Sequence, residues 1–410
     1  MIKKKDNTNK KILILLTIMF SLIIMFQPLY TYGANQSILN YTADLSETVV
    51  GELDQIDFSG FNDVVAEFQA KKSDLFSIKN IKSKVYSIIS GENAVSYSSF
   101  FASLFSNIIE LIISYLPMLS IIIAIGVLSN LLNGIKSKFN EKSTSNLIEL
   151  ICFMSVVILV GGIITSLTKN TGESVGSMVK QMNLLFPILL SLMVGLGANA
   201  SVGVFQPIVA ILSTYIADFF NYFVVALFML SFVFGIVSNM STNVKLDKFS
   251  AFISSLFKWC VGVIFTLFFA VFSIQGISAG SFDSVSIRTT KYTIKSYVPV
   301  MGGYLSDGMD LILSSTVLIK NSIGLVGLLM IISTIISPIL EIIIFSLVMK
   351  LVSAILQPMG NTKISNFLSA TSKSVTMLST AVIAIGFMYL LSIGLVMTTA
   401  NVVLWWIVMC

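Results

Sequence analysis

The sequence predicts an all-α polytopic membrane protein, and composition, apolar segments and charge distribution each favour that fold class. Of the 410 residues, 55% are hydrophobic and only 11% are charged, whereas an average soluble domain has about 25% charged residues. Crossing a bilayer takes about 20 apolar residues, and several segments reach that length. The pattern predicts about seven membrane segments, in a range of roughly five to nine, two of them interrupted or re-entrant hairpins.

The composition excludes most catalytic and metal chemistry. The chain has no histidine and only three cysteines, none in a CxxC pair, and it contains no GxxxxGK[ST] nucleotide-binding loop. Histidine-dependent catalysis and the common zinc sites are therefore absent. The net charge of +5 does not indicate a nucleic-acid binder. We predict a protein that is not an enzyme and that carries no cofactor and no metal site.

Residues 1–34 have the layout of a secretory signal peptide. Five lysines precede an apolar stretch at residues 12–26, and Pro28 and the small residues Gly33 and Ala34 follow it. A basic start, a short apolar segment and small residues at the end are typical of a cleaved export signal. The alternative is an uncleaved anchor, and in both cases the residues that follow are exported.

Residues 35–105 form a small exported helical segment. They carry nine acidic side chains against five lysines, an acidic balance that fits the non-cytoplasmic side. Apolar residues recur at helical spacing from Phe58 to Phe68 and from Ile78 to Ile89, which predicts two amphipathic helices. About 70 residues bury little core alone, so we expect the segment to lean on the membrane or on a partner.

Residues 106–410 form the predicted transmembrane domain. A first apolar run, residues 111–132, is followed by Lys136, Lys138 and Lys142, so that loop is predicted to be cytoplasmic. A second run, residues 147–167, returns outward.

The first interrupted hairpin is predicted at residues 184–216. Two short apolar pieces flank a polar, glycine-rich break that contains Gly195, Gly197, Asn199 and Gly203. Non-helical backbone at membrane depth persists where protein or a water-filled cavity surrounds it. These four residues are therefore candidates for a transport pathway, and the alternative is two ordinary tilted helices joined by a tight turn.

Two further spans, residues 221–240 and 251–277, precede a long polar interruption at residues 278–321. Arg288 and Lys291 fall on one face of a predicted helix there, for which the simplest reading is a surface helix along the membrane. Arg288 is the only arginine in the chain. Its planar fork favours a carboxylate partner, and Asp307 and Asp310 are the candidates.

The second hairpin is predicted within residues 322–357. This run of 36 nearly unbroken apolar residues exceeds one membrane crossing, so we predict a tight turn near Pro338 and Glu341. Glu341 and Lys350 are nine residues apart and point to different faces of a straight helix. Each is therefore expected to have another partner. Residues 375–398 are the last predicted span.

Two segments carry a family resemblance. Residues 184–211 read LLFPILLSLMVGLGANASVGVFQPIVAI, and residues 281–329 contain the steps RTTK, VPVMG and LIKNSIGLVG. Together with the signal peptide and the acidic exported segment, they resemble the stage III sporulation protein AE family over most of the chain.

The resemblance implies a component of the complex that joins mother cell and forespore and is described as a channel or feeding tube. It implies a multi-pass protein of the mother-cell-derived outer forespore membrane. The implied partners are the other membrane and intermembrane-space proteins of that complex. The residues themselves leave two alternatives open, which are a stand-alone solute permease and a non-conducting membrane scaffold.

Overall fold

The computed structural model describes residues 49–70, 80–90, 97–136, 142–240, 246–297 and 302–399. They all belong to one compact unit, Thr48–Cys410. The predicted signal peptide at residues 1–34 lies outside the described residues. Every regular element in the described part is helical, which confirms the predicted all-α class.

The helices are named in chain order. They are α1 Phe61–Ala70, α2 Ile81–Ile89, α3 Tyr97–Lys136, α4 Lys142–Gly195, α5 Asn199–Asp218, α6 Val225–Met240, α7 Asp247–Tyr297, α8 Gly302–Leu356 and α9 Thr362–Thr398. A π-helical stretch, Phe219–Val224, joins α5 to α6 without a break.

Within the described residues, six helical stretches are long and apolar enough to cross a membrane, a number inside the predicted range. They are Ser98–Leu132, Leu147–Gly195, Asn199–Met240, Lys248–Ala270, Gly308–Leu356 and Thr362–Thr398. Both α4, with 54 residues, and α8, with 55, measure about 80 Å at 1.5 Å per residue. The hydrocarbon core is about 30 Å thick, so each of these helices extends well beyond it.

Helices α8 and α9 form an antiparallel pair at the centre of the packing. The pair is joined by a tight turn at residues 357–361, where Gly360 has a positive φ of 85°. Helix α8 also packs on α4 and α3, and α9 packs on α6 and α4. Small residues allow these close approaches: a Cβ on Gly386 of α9 would overlap the Ile335 side chain of α8.

The segment predicted to be exported packs against the chain's own long helices. Helix α1 lies on α4 and α2 lies on α8, and their apolar residues, such as Phe61 and Val85, are buried. The helical turn at residues 49–54 also contacts α8, because Glu52 accepts hydrogen bonds from the Ser315 hydroxyl at 2.9 Å and the Thr316 hydroxyl at 3.1 Å. The two predicted amphipathic helices are confirmed, and their support comes from α4 and α8.

The hairpin predicted near Pro338 and Glu341 is wrong, because α8 continues through both residues. The prediction assumed that an apolar run longer than one bilayer must turn back. A helix avoids that limit when it extends out of the membrane. A proline inside a helix removes one hydrogen bond and bends the axis, and packing against α4 and α9 on both sides holds the helix together.

The two polar interruptions are also helical. Residues 168–183 lie within α4, and the polar stretch that begins at residue 278 continues α7 as far as Tyr297. The positions of Arg288 and Lys291 on one helix are therefore confirmed. The reading as a separate surface helix is not, since this stretch continues the apolar part of α7.

Candidate functional site

The glycine-rich break is a helix-capping turn. Helix α4 ends at Gly195, and Gly197 has a positive φ of 78°. The Ala198 N–H donates to the Met193 carbonyl at 2.9 Å, and the Gly197 N–H donates to the Val194 carbonyl at 2.8 Å. These two bonds and the left-handed glycine define a Schellman motif. The predicted interruption is present, with the geometry of a tight turn between two helices.

The other predicted pathway residues of this segment differ from Gly197. Asn199 is the first residue of α5 and is exposed. Gly195 and Gly203 lie within α4 and α5, and a Cβ on either would meet open space. Only Gly197 requires glycine on conformational grounds.

The structure partly describes the four charged candidates of the polar stretch. Arg288 and Lys291 lie in α7, and Asp307 lies in α8, but their side chains fall outside the described part. Asp310 lies in α8 and is half-buried, and its main-chain carbonyl accepts from the Ser314 hydroxyl at 2.7 Å. A carboxylate partner for Arg288 stays a prediction.

Glu341 has partners on two other helices. The Asn170 amide of α4 donates to Glu341 Oε1 at 3.2 Å, and the Tyr115 hydroxyl of α3 hydrogen-bonds to the same carboxylate. The Tyr115 ring also packs on Phe345 of α8, with ring centroids 5.6 Å apart. Lys350 is exposed. The expectation that Glu341 has a partner other than Lys350 is confirmed.

The Asn170 side chain begins a polar stripe along α4. Asn170, Ser174, Ser177 and Gln181 are separated by four, three and four residues, which places them on one face of the helix. Burial increases along the stripe from the exposed Asn170 to Gln181, which is 2% exposed. The Gln181 amide Nε2 donates to the Thr334 hydroxyl of α8 at 2.8 Å. We call Asn170, Ser174, Ser177 and Gln181 of α4 with Thr334 and Glu341 of α8 the polar seam.

Lys320 is a second charged group inside the helix bundle. It lies in α8 in the segment LIKN and is fully buried. Its Nζ donates to the main-chain carbonyl of Thr399, at the C-terminal end of α9. A cation at a helix C-terminus is favoured by the helix dipole and satisfies a carbonyl that the helix leaves open. This contact therefore ties the end of α9 to α8.

The side of α8 that faces α9 carries hydrogen-bonded serine pairs. The Ser346 and Ser372 hydroxyls lie 2.8 Å apart, and each also donates to the other residue's main-chain carbonyl. Ser353 and Ser365 repeat the arrangement seven residues away. Interhelical serine hydrogen bonds are a common means of holding membrane helices together, and these pairs give the α8–α9 contact its register.

Sequence reasoning missed most of the seam and the Lys320 contact. Tyr115, Asn170, Gln181 and Lys320 were not predicted as site residues. The signal for the stripe was present in the polar residues at 170, 174, 177 and 181, spaced at the helical period. A lysine directly before the long apolar run of α8 was the signal for Lys320.

Among the described residues, no group of three or more cysteine, aspartate or glutamate side chains could hold a metal ion. The described contacts contain hydrogen-bonded polar groups within a helix bundle and no nucleophile with an adjacent base. Such an arrangement can bind or conduct a small polar species, or fix helices in place.

Comparison with known proteins identifies the chain's relatives. The family model described as stage III sporulation protein AE matches residues 79–400. The stage III sporulation protein AE of Bacillus subtilis (strain 168) is 25% identical over 368 residues, which are 90% of this chain and 89% of that protein. No solved structure matches the chain. The family match covers α2 to α9 and includes the polar seam, Lys320 and the capping turn at Gly197. The chain therefore belongs to the stage III sporulation protein AE family.

Proposed function

We propose that this protein is an integral membrane component of the complex that links mother cell and forespore, required for late forespore development. Membership of a sporulation family supports the sporulation role, and the six candidate spans support a multi-pass location. In this proposal it resides in the mother-cell-derived outer forespore membrane. The exported segment then faces the intermembrane space, where the partner proteins of the complex lie.

The observation that carries the proposal is the attachment of the exported helices to the membrane helices. Glu52 bonds to α8, and α1 and α2 bury their apolar faces on α4 and α8. A partner bound to the exported segment would therefore act directly on α8, the helix that also bears Glu341 and Lys320. This arrangement suits a subunit that joins extracytoplasmic partners to a membrane bundle.

We further propose that the protein contributes to a conduit and has no enzymatic role. Ionisable residues within membrane helices commonly mark the pathways of ions and substrates, and Glu341 is one such residue, with partners on two other helices. A stand-alone permease would use the same seam without partners. A scaffold would use the exported segment and conduct nothing.

Site-specific photo-crosslinking in sporulating cells tests the partner contact. Tyr86 on α2 is 50% exposed, whereas the neighbouring Val85 is fully buried. A photoreactive residue at 86 should crosslink to another protein of the sporulation complex, and one at 85 should crosslink within the chain. Absence of intermolecular products from position 86 and from other exposed positions of α1 and α2 would argue against a docking role.

Transport assays separate the alternatives. A permease should move solute when the purified protein alone is placed in vesicles. A conduit subunit should require its partners, and a scaffold should copurify with partners while giving no flux under either condition. Reporter fusions after Gly91 and after Lys138 test the orientation on which the proposal depends, with the first expected outside and the second inside.

A further inference from the structure

Within the described residues, the buried end of the polar seam has a side-chain hydrogen-bond acceptor without a matching donor. Gln181 is 2% exposed, and its Nε2 is committed to the Thr334 hydroxyl. That hydroxyl in turn donates to the Met330 carbonyl at 2.9 Å, which fixes the orientation of the Gln181 amide. Gln181 Oε1 is buried and accepts no hydrogen bond from any group in the described part of the chain. A buried acceptor without a donor lowers the stability of the fold unless a bound ion or water occupies the position.

Pro338 opens a second acceptor on the residue that binds Gln181. Proline has no N–H, so the residue four positions earlier, Thr334, loses the helical donor to its main-chain carbonyl. Pro338 lies inside α8, one turn beyond Thr334. The residue that binds the Gln181 amide is therefore also the residue whose carbonyl the helix leaves open. In membrane proteins such carbonyls are satisfied by neighbouring groups, by water or by a bound cation.

The surroundings favour a cation over water. Glu341 lies two turns from Thr334 on the same helix, and its carboxylate stands at the exposed end of the seam beside Asn170. A carboxylate at the mouth of a low-dielectric path raises the local concentration of cations. The stripe from Asn170 to Gln181 then supplies side-chain oxygens along about 16 Å of α4.

The chemistry of the ligands selects a monovalent cation. The inner oxygens are an amide, a hydroxyl and a main-chain carbonyl, all of them neutral. Divalent ions prefer sites with carboxylates in direct contact, and no cluster of acidic, cysteine or histidine ligands is present in the described residues. In transporters, main-chain carbonyls released from helical hydrogen bonds help to coordinate Na⁺, and the Thr334 carbonyl is released in this sense although α8 itself is continuous.

We propose that the α4–α8 seam holds a monovalent alkali cation, with Gln181 Oε1 and the Thr334 carbonyl as inner ligands and Glu341 as the charge at its entrance. The inference stands apart from the proposed complex, because the site lies wholly within this chain. Its test needs only the purified full chain.

The thermal midpoint Tm of the detergent-purified chain should be measured in NaCl, KCl and choline chloride at equal ionic strength. A bound cation raises Tm by mass action, so Na⁺ or K⁺ should give a midpoint several degrees above that in choline. The substitution Gln181→Met keeps the side-chain volume and removes the acceptor, and it should abolish the difference. Gln206→Met, at an exposed glutamine of α5, should leave the difference unchanged.

Equilibrium binding of radioactive sodium, and of rubidium in place of potassium, to the unmodified protein makes the test independent of any variant's folding. Saturable binding of one ion that competes with the unlabelled ion would support the site. Equal midpoints in all three salts together with absent saturable binding would overturn the proposal and leave a structural water as the occupant. A salt-dependent midpoint that survives Gln181→Met would also overturn it, since the cation would then bind elsewhere.

Discussion

Helix α8 presents two polar faces that differ in how their hydrogen bonds are completed. Toward α9, serine hydroxyls and carbonyls bond reciprocally at Ser346–Ser372 and Ser353–Ser365. Toward α4 and α3, the Glu341 carboxylate accepts from the Asn170 amide. On the same face, the buried amide oxygen of Gln181 has no donor in the described part of the chain. Polar residues in membrane helices thus serve two purposes here. The serine pairs, whose hydrogen bonds are all made, form the complete face and fix the register of two helices. The seam, which carries a charge and an acceptor without a donor, forms the incomplete face and marks a binding site.

The largest expected effect concerns the charged end of the incomplete face. Glu341→Leu removes the acceptor shared by Tyr115 and Asn170, and it removes the negative charge from the seam. We expect heat-resistant spore counts to fall by orders of magnitude, while membrane levels of the protein stay within a few-fold of normal. Lys350→Leu, on an exposed site of the same helix, is the matched control and should sporulate well. Equal spore counts for the two variants would mean that Glu341 only anchors helices and has no further role in function.

The next largest effect concerns the complete face, where α8 and α9 pack closely. Gly386 is buried where a Cβ would overlap Ile335, whereas Gly162 on α4 faces open space. Gly386→Leu should destabilise the α8–α9 pair by about 1–3 kcal/mol, the usual cost of overpacking, and Gly162→Leu should change stability little. Thermal unfolding of the two variants in detergent measures the difference. A mild Gly386→Leu would mean that α9 shifts readily along α8.

A smaller effect distinguishes the two glycines of the capping turn. Gly197 has a positive φ, so Gly197→Ala should cost about 1–2 kcal/mol for a side chain in the left-handed region. Gly203 lies in α5, where an added Cβ would meet open space, and Gly203→Ala should stabilise the helix by about 1 kcal/mol at most. The same unfolding measurement compares them. Equal effects would indicate that the turn is not formed in the detergent-solubilised protein.

The fold class followed from the sequence because composition and apolar run lengths are local properties. The same is true of the two amphipathic helices at α1 and α2 and of the break near Gly197, where helix period and glycine content carry the signal. The hairpin at Pro338 could not be judged in this way. Whether a proline ends a helix depends on the packing of α8 against α4 and α9, which involves residues distant in sequence.

The candidate site shows the same division between local and distant information. Glu341 stood out as a charge within an apolar run, and its need for a partner other than Lys350 followed from helix geometry. The identity of those partners, Asn170 and Tyr115, depended on how three helices pack. The Gln181–Thr334 bond is also a contact between residues 153 positions apart, which no local pattern encodes.

The smallest effect tests whether the complete polar face is only structural. Ser346→Ala and Ser372→Ala each remove one member of a reciprocal pair, and the double variant removes both. Interhelical hydrogen bonds in membrane proteins contribute about 0.6 kcal/mol on average, so the double-mutant cycle should give a coupling energy near that value. Spore counts should stay at the normal level, because the pair bears no charge and leaves no acceptor open to a ligand. A coupling energy of this size with a sporulation defect would show that both faces of α8 take part in function. A cycle without measurable coupling would show that close packing at small residues, more than the serine hydrogen bonds, holds α8 and α9 in register.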